Sequence, residues 1–533
     1  MRRLLKTLGL ATVTALVLAG CTVAQPNEQD GLPNDASTLR VLAGSEVKDM
    51  APILESAAAD KGIRVVFDYT GTLAGTELVA SGRAAGRYDA TWFPNNRYLS
   101  LLPGAAKAVS SSVKIMSSPV VLGLRPEVAT RLGWDSTPPT WADLAAAAAG
   151  GEFTYGMTNP AASNSGFSAL VAVATALSGT GTALTDADVT AVSPELTRFF
   201  SGQKLTAGSS GFLADKFVAD PTLVDGVINY ESVLLGLADK GAPLTIVRPT
   251  DGVVTSDYPL TLLASADTDK RPLFDTLTAW LTTDAVQQRI VSETHRRPGV
   301  PGIDTGSAFP AGILFETPFP NTLEVANTLI GTYLDTVRAP AQTLFVLDTS
   351  GSMAGERLTA LQQALKNLAG ADSSTTGGFA AFRNRERVTL IPFSTAPDAP
   401  TIVDVPATDK TEALQRIRDV ADGLSADGGT AIYASLERAY ALARKQKAER
   451  PDTFVSIVLM TDGENTDGAT AKDFADYYAA QDADTRSIAT YVVLFGNGNV
   501  EELTGVAKLT GGQAFDALNG DLSSAFQDIR GYQ

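Results

Sequence analysis

The chain has 533 residues, 44% of them apolar and 19% charged, which suits two or three globular domains that each bury a core of their own. Its 59 acidic groups outnumber 42 basic ones, for a net charge of −17, so nucleic acid is excluded as an expected partner. With one cysteine and one histidine, the chain has neither a disulfide framework nor the nucleophile–base pair that most hydrolases use.

At the N-terminus Arg2, Arg3 and Lys6 precede the apolar run Leu8 to Leu18, followed by Leu18-Ala19-Gly20-Cys21. This pattern predicts a signal peptide over residues 1–20, because the apolar run is shorter than the ~20 residues that cross a bilayer. The tetrapeptide resembles the lipobox of bacterial lipoproteins, which implies that Cys21 carries the lipid and becomes the mature N-terminus. The alternative is an ordinary signal peptide with an incidental cysteine. Residues 21–37 are polar, with prolines and glycine, and read as a tether. The expected location is the outer side of the cell membrane, with the lipid anchor as the only membrane contact.

Residues 38–300 alternate strand and helix signals. Leu39 to Ala43 and Ile63 to Phe67 are strands on either side of a helix that runs to about Asp60, as in βαβ units. Tyr155 to Thr158 leads into Asn159-Pro160-Ala161-Ala162-Ser163-Asn164-Ser165-Gly166, which places hydroxyls and an amide at a helix N-terminus suited to an anion or a carbonyl group. Ordinary capping is the competing role. Trp134 and Trp141, in WDSTPPTWADL, read as packing anchors.

With the opening Gly44-Ser45-Glu46, the phrase YDATWFP, Ser117 to Val121, NPAASNSGF and Val227 to Glu231, this region resembles type II periplasmic solute-binding proteins. The resemblance implies a bilobal α/β module, with lobe 1 at 38–115 and 245–300, lobe 2 at 116–244, and a ligand cleft between them. The cleft residues it implies are Ser45, Thr70, Thr72, Asn95, Ser117, Ser163, Ser165 and Tyr230, facing a small oxyanion or peptide. Residues 301–340 connect onward and contain a helical pattern from Asn321 to Val337 that Arg338-Ala339-Pro340 ends.

In residues 341–533 the apolar run Leu344-Phe345-Val346-Leu347 delivers Asp348-Thr349-Ser350-Gly351-Ser352 to a strand end. Thr430, after two glycines, and Asp462, after a second strand, complete a set of oxygen donors. Magnesium takes hard oxygen ligands at about 2.0–2.1 Å and keeps several waters, so Asp348, Ser350, Ser352, Thr430 and Asp462 fit it, with manganese or calcium as alternatives. Helix capping by Asp348 and Ser350 leaves Thr430 and Asp462 unexplained. The five positions resemble the metal-ion-dependent adhesion site of von Willebrand factor A domains, which implies a doubly wound Rossmann-like fold and a metal that grips an acidic side chain of a protein partner.

The whole arrangement resembles bacterial lipoproteins that join the two modules. It implies a lipid-anchored envelope binding protein and not an enzyme. The alternative is the solute receptor of an ABC importer with an accessory A domain.

Overall fold

The computed structural model describes residues 32–307, 309, 314–494, 496, 499–517 and 522–532. The expected signal peptide, Cys21 and the start of the tether lie outside the described residues. No helix among the described residues is long and apolar enough to cross a membrane.

Among the described residues the strands form three sheets, of five, seven and six members. In the first, Arg64–Tyr69, Thr38–Ala43 and Ala90–Trp92 run parallel, and Pro259–Leu263 and Val109–Lys114 continue antiparallel. Thr38–Ala43 is buried at every position because helices cover the sheet, whereas burial along Val109–Lys114 alternates, as befits an edge strand with one wet face. The second sheet is organised on Met116–Leu124, nine residues buried throughout, which pairs antiparallel with Gly226–Tyr230. Tyr155–Thr158 and Gln203–Ala207 extend that sheet in parallel.

The chain returns to lobe 1 later than the expected residue 245. Thr245–Val247 pairs with Leu122 to Leu124, and Thr255–Ser256 with Ser118 and Pro119, so both belong to the second sheet. The crossing falls between Ser256 and Pro259. Arg297–Pro298 pairs with Met116 and Ser117, which ties the end of the module to the inter-lobe connection. Nothing in the β-branched run Thr245-Ile246-Val247 says which of two sheets it will join.

Trp134 and Trp141 are anchors. Trp134 packs edge-on against Phe153, and buried Trp141 donates from Nε1 to the Gly252 carbonyl at 2.8 Å. The connecting helix Leu323–Thr332 is capped by Thr322 and continues as a π turn, Tyr333–Val337. Its apolar face, Val325, Ala326, Leu329, Ile330, Tyr333 and Leu334, sits in the same core as the helix Asp186–Phe200.

The third sheet runs Thr401–Asp404, Arg387–Phe393, Ala341–Asp348, Phe454–Thr461, Ala489–Leu494, Ala514–Asp516. All pairings are parallel except that of Thr401–Asp404, an antiparallel edge. Along Ala341–Asp348, Phe345 and Leu347 enter the core on one face, and Leu344 and Val346 enter the core on the other. Helices therefore cover both faces, the doubly wound arrangement. Parallel strands bring Asp348, Thr461 and Leu494 to one edge of the sheet.

The second domain is docked on the first module. Glu77 accepts hydrogen bonds from the amides of Thr375 and Thr376, at 3.1 and 3.0 Å, and from the Thr376 hydroxyl at 2.6 Å. Tyr532 stacks edge-on against Phe212 at 4.8 Å. At the junction, buried Glu386 receives Arg338 of the connecting segment and both contacts of Arg530, each 2.8 Å. Burial opposes the charged form of Glu386, yet Arg530 and Arg338 hold its carboxyl below the usual carboxylate range. Its contribution is complete above the unfolded-state pKa of about 4.3 and fades as the pH falls through the depressed value. A Glu386→Gln variant leaves the buried arginines without their counter-charge and should lose about 3–5 kcal/mol in denaturant unfolding at neutral pH.

Candidate metal centre

The loop after Ala341–Asp348 is held by its own backbone. Thr349 donates from both its amide and its hydroxyl to the Phe393 carbonyl, at 2.8 and 2.9 Å, so its side chain is structural. The Gly351 amide reaches the Gly428 carbonyl at 3.0 Å, which draws in the loop that carries Thr430. Thr430 is fixed from the opposite side, its amide donating to the Thr466 hydroxyl at 2.8 Å and its carbonyl accepting from the Thr466 amide at 2.9 Å.

The predicted residues come together. The Ser350 hydroxyl is 3.0 Å from that of Ser352, which donates to Asp462 Oδ1 at 2.8 Å. Asp348 Oδ1 accepts the Ser350 amide at 2.8 Å, and Oδ2 accepts the Thr461 hydroxyl at 2.6 Å. A Cβ placed on Gly463 would lie 3.7 Å from Ser352 Oγ and 4.0 Å from Thr430 Oγ1, so both hydroxyls flank Gly463. Asp348, Ser350, Thr430 and Asp462 are buried while Ser352 is exposed, so the cluster opens to solvent on the Ser352 side.

Ser350, the N-cap of the short segment Gly351–Met353, makes no side-chain cap, whereas Asp348 holds the Ser350 amide within the loop. Gly496 has a packing reason: a Cβ there would fall 2.2 Å from the Asp462 carbonyl oxygen.

The donors suit a hard cation. Burial raises the Asp348 carboxyl above its ordinary range, and the nearby charge of Asp462 adds to the rise. A divalent ion would offset both effects. Among the described residues no group of three or more His, Cys, Asp or Glu side chains forms a metal site. Two carboxylates with three hydroxyls instead make a donor set of low charge, which suits an ion that keeps waters or a free position.

Sequence reasoning missed Arg357. Its guanidinium pairs with Asp462 Oδ2 and reaches the Ser352 carbonyl at 3.4 Å, placing a fixed positive charge at the cluster's rim. Its position as the second residue of the helix Glu356–Lys366, directly after the loop, was the available signal.

Six of the eight predicted cleft residues divide among three places. Asn95 Nδ2 donates across the lobes to Asn164 Oδ1 at 3.1 Å, and Asn164 Nδ2 donates to the Tyr230 hydroxyl and to Ser256 Oγ, each at 3.1 Å. Ser165 is 2.8 Å from the hydroxyls of both Thr158 and Ser210, with Ser163 at 3.2 Å, so these serines form a separate buried cluster in lobe 2. Ser45 and Thr70 line a cavity of about 240 Å³ that also receives Thr376, Gln527 and Arg530 of the second domain. Thr72 and Ser117 are buried and join none of these groups through a side-chain bond recorded among the described residues. The lobes approach closely, since a Cβ on Gly71 would sit 2.7 Å from the Ala162 carbonyl. Asn164 and Ser256 carry the inter-lobe network; of the two, Ser256 had no motif around it.

Residues 344–529 match the family model of the von Willebrand factor type A domain, and residues 39–293 match that of the bacterial extracellular solute-binding protein. No curated protein matches the chain. Among solved structures, the periplasmic binding protein AfuA from Actinobacillus pleuropneumoniae, with exogenous fructose-6-phosphate bound, is 12% identical at a TM-score of 0.44, over 56% of this chain and 98% of that one. A putative extracellular solute-binding protein from Bordetella parapertussis is 14% identical at 0.43, over 56% and 99%. A ferric binding protein from Campylobacter jejuni is 12% identical at 0.41, over 55% and 98%.

An Arg357→Gln substitution removes the cation that competes at Asp462. Magnesium affinity measured by calorimetric titration should rise roughly two- to fivefold, the scale of a partly exposed ion pair.

Proposed function

We propose that this chain, a solute-binding-protein-like module followed by a von Willebrand factor A domain, is an envelope binding protein whose second domain grips an acidic side chain of a protein partner through a divalent metal. Asp348, Ser350, Ser352, Thr430 and Asp462 hold the ion, with magnesium the leading choice. Bound there, the ion supplies a Lewis-acidic position for an incoming carboxylate. The observation that carries this reading is the convergence of Ser350, Ser352 and Asp462 within 3.0 Å contacts at an exposed sheet edge, with Thr430 alongside.

The chain's own residues prepare that contact. The Thr461 hydroxyl and Ser350 amide orient Asp348, so its buried carboxylate is held before any ion arrives. Ser352 stands at the solvent edge, where a partner would approach. A charge-assisted contact at a partly dry rim confers specificity as well as affinity. Binding without turnover is the simplest use of such a site, and His295 is engaged elsewhere, 2.8 Å from Asp239 in the first module.

The first module, in this reading, binds or senses a small polar ligand through the inter-lobe network of Asn95, Asn164, Tyr230 and Ser256. Lipid attachment at Cys21 would hold the chain on the outer face of the cell membrane. The importer-receptor reading rests on the solute-binding match over residues 39–293. Against it, the second domain lines the same cavity as Ser45 and Thr70, so that opening is partly roofed.

Two measurements separate these readings. For the chain from Thr22 onward, magnesium at a hundred times its Kd should stabilise the second domain by about 2.7 kcal/mol in calorimetry, and Asp348→Ala should abolish the shift. An unchanged shift in that variant would reject the metal assignment. Titration with a panel of oxyanions and short peptides should produce a ligand-dependent transition that weakens at least tenfold in Asn164→Ala. Transport-linked binding with no effect of magnesium on any partner would favour the importer reading.

A further inference from the structure

A larger cavity, of about 860 Å³, lies where lobe 2, the connecting helix and the second domain meet. Phe200, Leu205, Val337, Phe454 and Ile488 supply apolar walls from all three. Leu223 and Leu509, which also line it, are 47% and 46% exposed and so stand at its rim. Among the described residues they are two of six exposed large hydrophobic side chains, and they come to this one cavity from different modules.

The charge of this cavity runs against that of the chain. Lys204, Lys216, Arg385, Arg486 and Lys508 line it together with Arg338 and Lys447, against only Asp220 and Asp452. Arg338 is matched by Glu386 and Lys447 by Asp484. Among the described residues Lys204, Lys216, Arg486 and Lys508 form no ion pair, although acidic groups outnumber basic ones 59 to 42 in the whole chain. Asp220 accepts from the Thr222 hydroxyl at 2.6 Å, and with Asp452 it leaves the lining with a clear excess of cations. A concave surface with an excess of one sign of charge raises the local concentration of the opposite charge.

Lys216 is the most telling of these groups. It lies on the helix Ser210–Ala219 beside the Phe212 ring, 5.3 Å from its centre, and burial pushes its ammonium down to about 8. An anion beside it would restore the charged form.

We propose that this inter-module cavity binds a single-chain amphiphile with an anionic head group. The unpaired lysines and Arg486 receive the head, and the apolar body lies against Phe200, Val337, Phe454 and Ile488. The volume is within the range of small-molecule sites, roughly 300–1,000 Å³. Because its walls come from both modules, an occupant would brace one against the other. This site uses none of the five metal-centre oxygens and none of the inter-lobe network.

The test is calorimetric titration of the chain from Thr22 onward with submicellar dodecanoate, with dodecyltrimethylammonium as the cationic control. Dodecanoate should bind one to one, weaken with added salt, and lose at least tenfold affinity in a Lys216→Gln/Lys508→Gln variant whose melting temperature matches the parent. Leu509→Glu, at the rim, should weaken it through a different contact. Equal binding of the cationic amphiphile, or full dodecanoate affinity in both variants, overturns the proposal. So does binding of a ten-residue glutamate peptide without any binding of dodecanoate, which would make this a protein-docking face.

Discussion

Ala341–Asp348 is buried on both faces along its entire length, and its final residue is a carboxylate. From Leu344 to Leu347 the strand presents only apolar side chains to the two faces, and Asp348 is the first polar residue after that run, where the sheet ends. The cluster of oxygen donors depends on this constraint. Parallel neighbours end at the same edge, and Thr461-Asp462 therefore arrives beside Asp348 without any need for closeness in sequence. Thr349 and Gly351 then fasten the loop to Phe393 and Gly428, and the hydroxyls of Ser350 and Ser352 are left for other work.

The contact between modules rests on another constraint, the cost of a buried charge. Glu386 cannot stay ionised in a dry junction unless cations surround it, and Arg338 and Arg530 come from two different segments to do so. Glu77 acts similarly at smaller scale, filling the N-terminal amides of the short helix Thr375–Ala380 from the other module. Together they hold the last helix, Leu522–Gly531, over the side of the first module that carries Ser45 and Thr70. Whatever enters that cavity meets both modules.

Electrostatics also separates the two interfaces of the second domain. The sheet edge gathers Asp348 and Asp462, tempered by Arg357, and favours a cation. The junction with lobe 2 gathers unpaired lysines. A net charge of −17 describes neither, since a sum over the chain carries no information about position.

The sequence by itself determined the two α/β modules, their order, the helix between them and the oxygen-bearing side chains that gather at the sheet edge. Each of those rests on local information: apolar runs of strand length, glycine and hydroxyl loops directly after them, helical periodicity up to Pro340. Only the tertiary structure decided which sheet received Thr245–Val247, that Asn164 and Ser256 rather than Ser163 and Ser165 join the lobes, and that Arg357 reaches Asp462. Only it placed lysines from lobe 2 and the second domain around one cavity. The physical reason is range. Periodicity and capping act within a few residues, while strand choice, side-chain pairing and cavity lining depend on segments 69 residues or more apart in the sequence and brought together by packing.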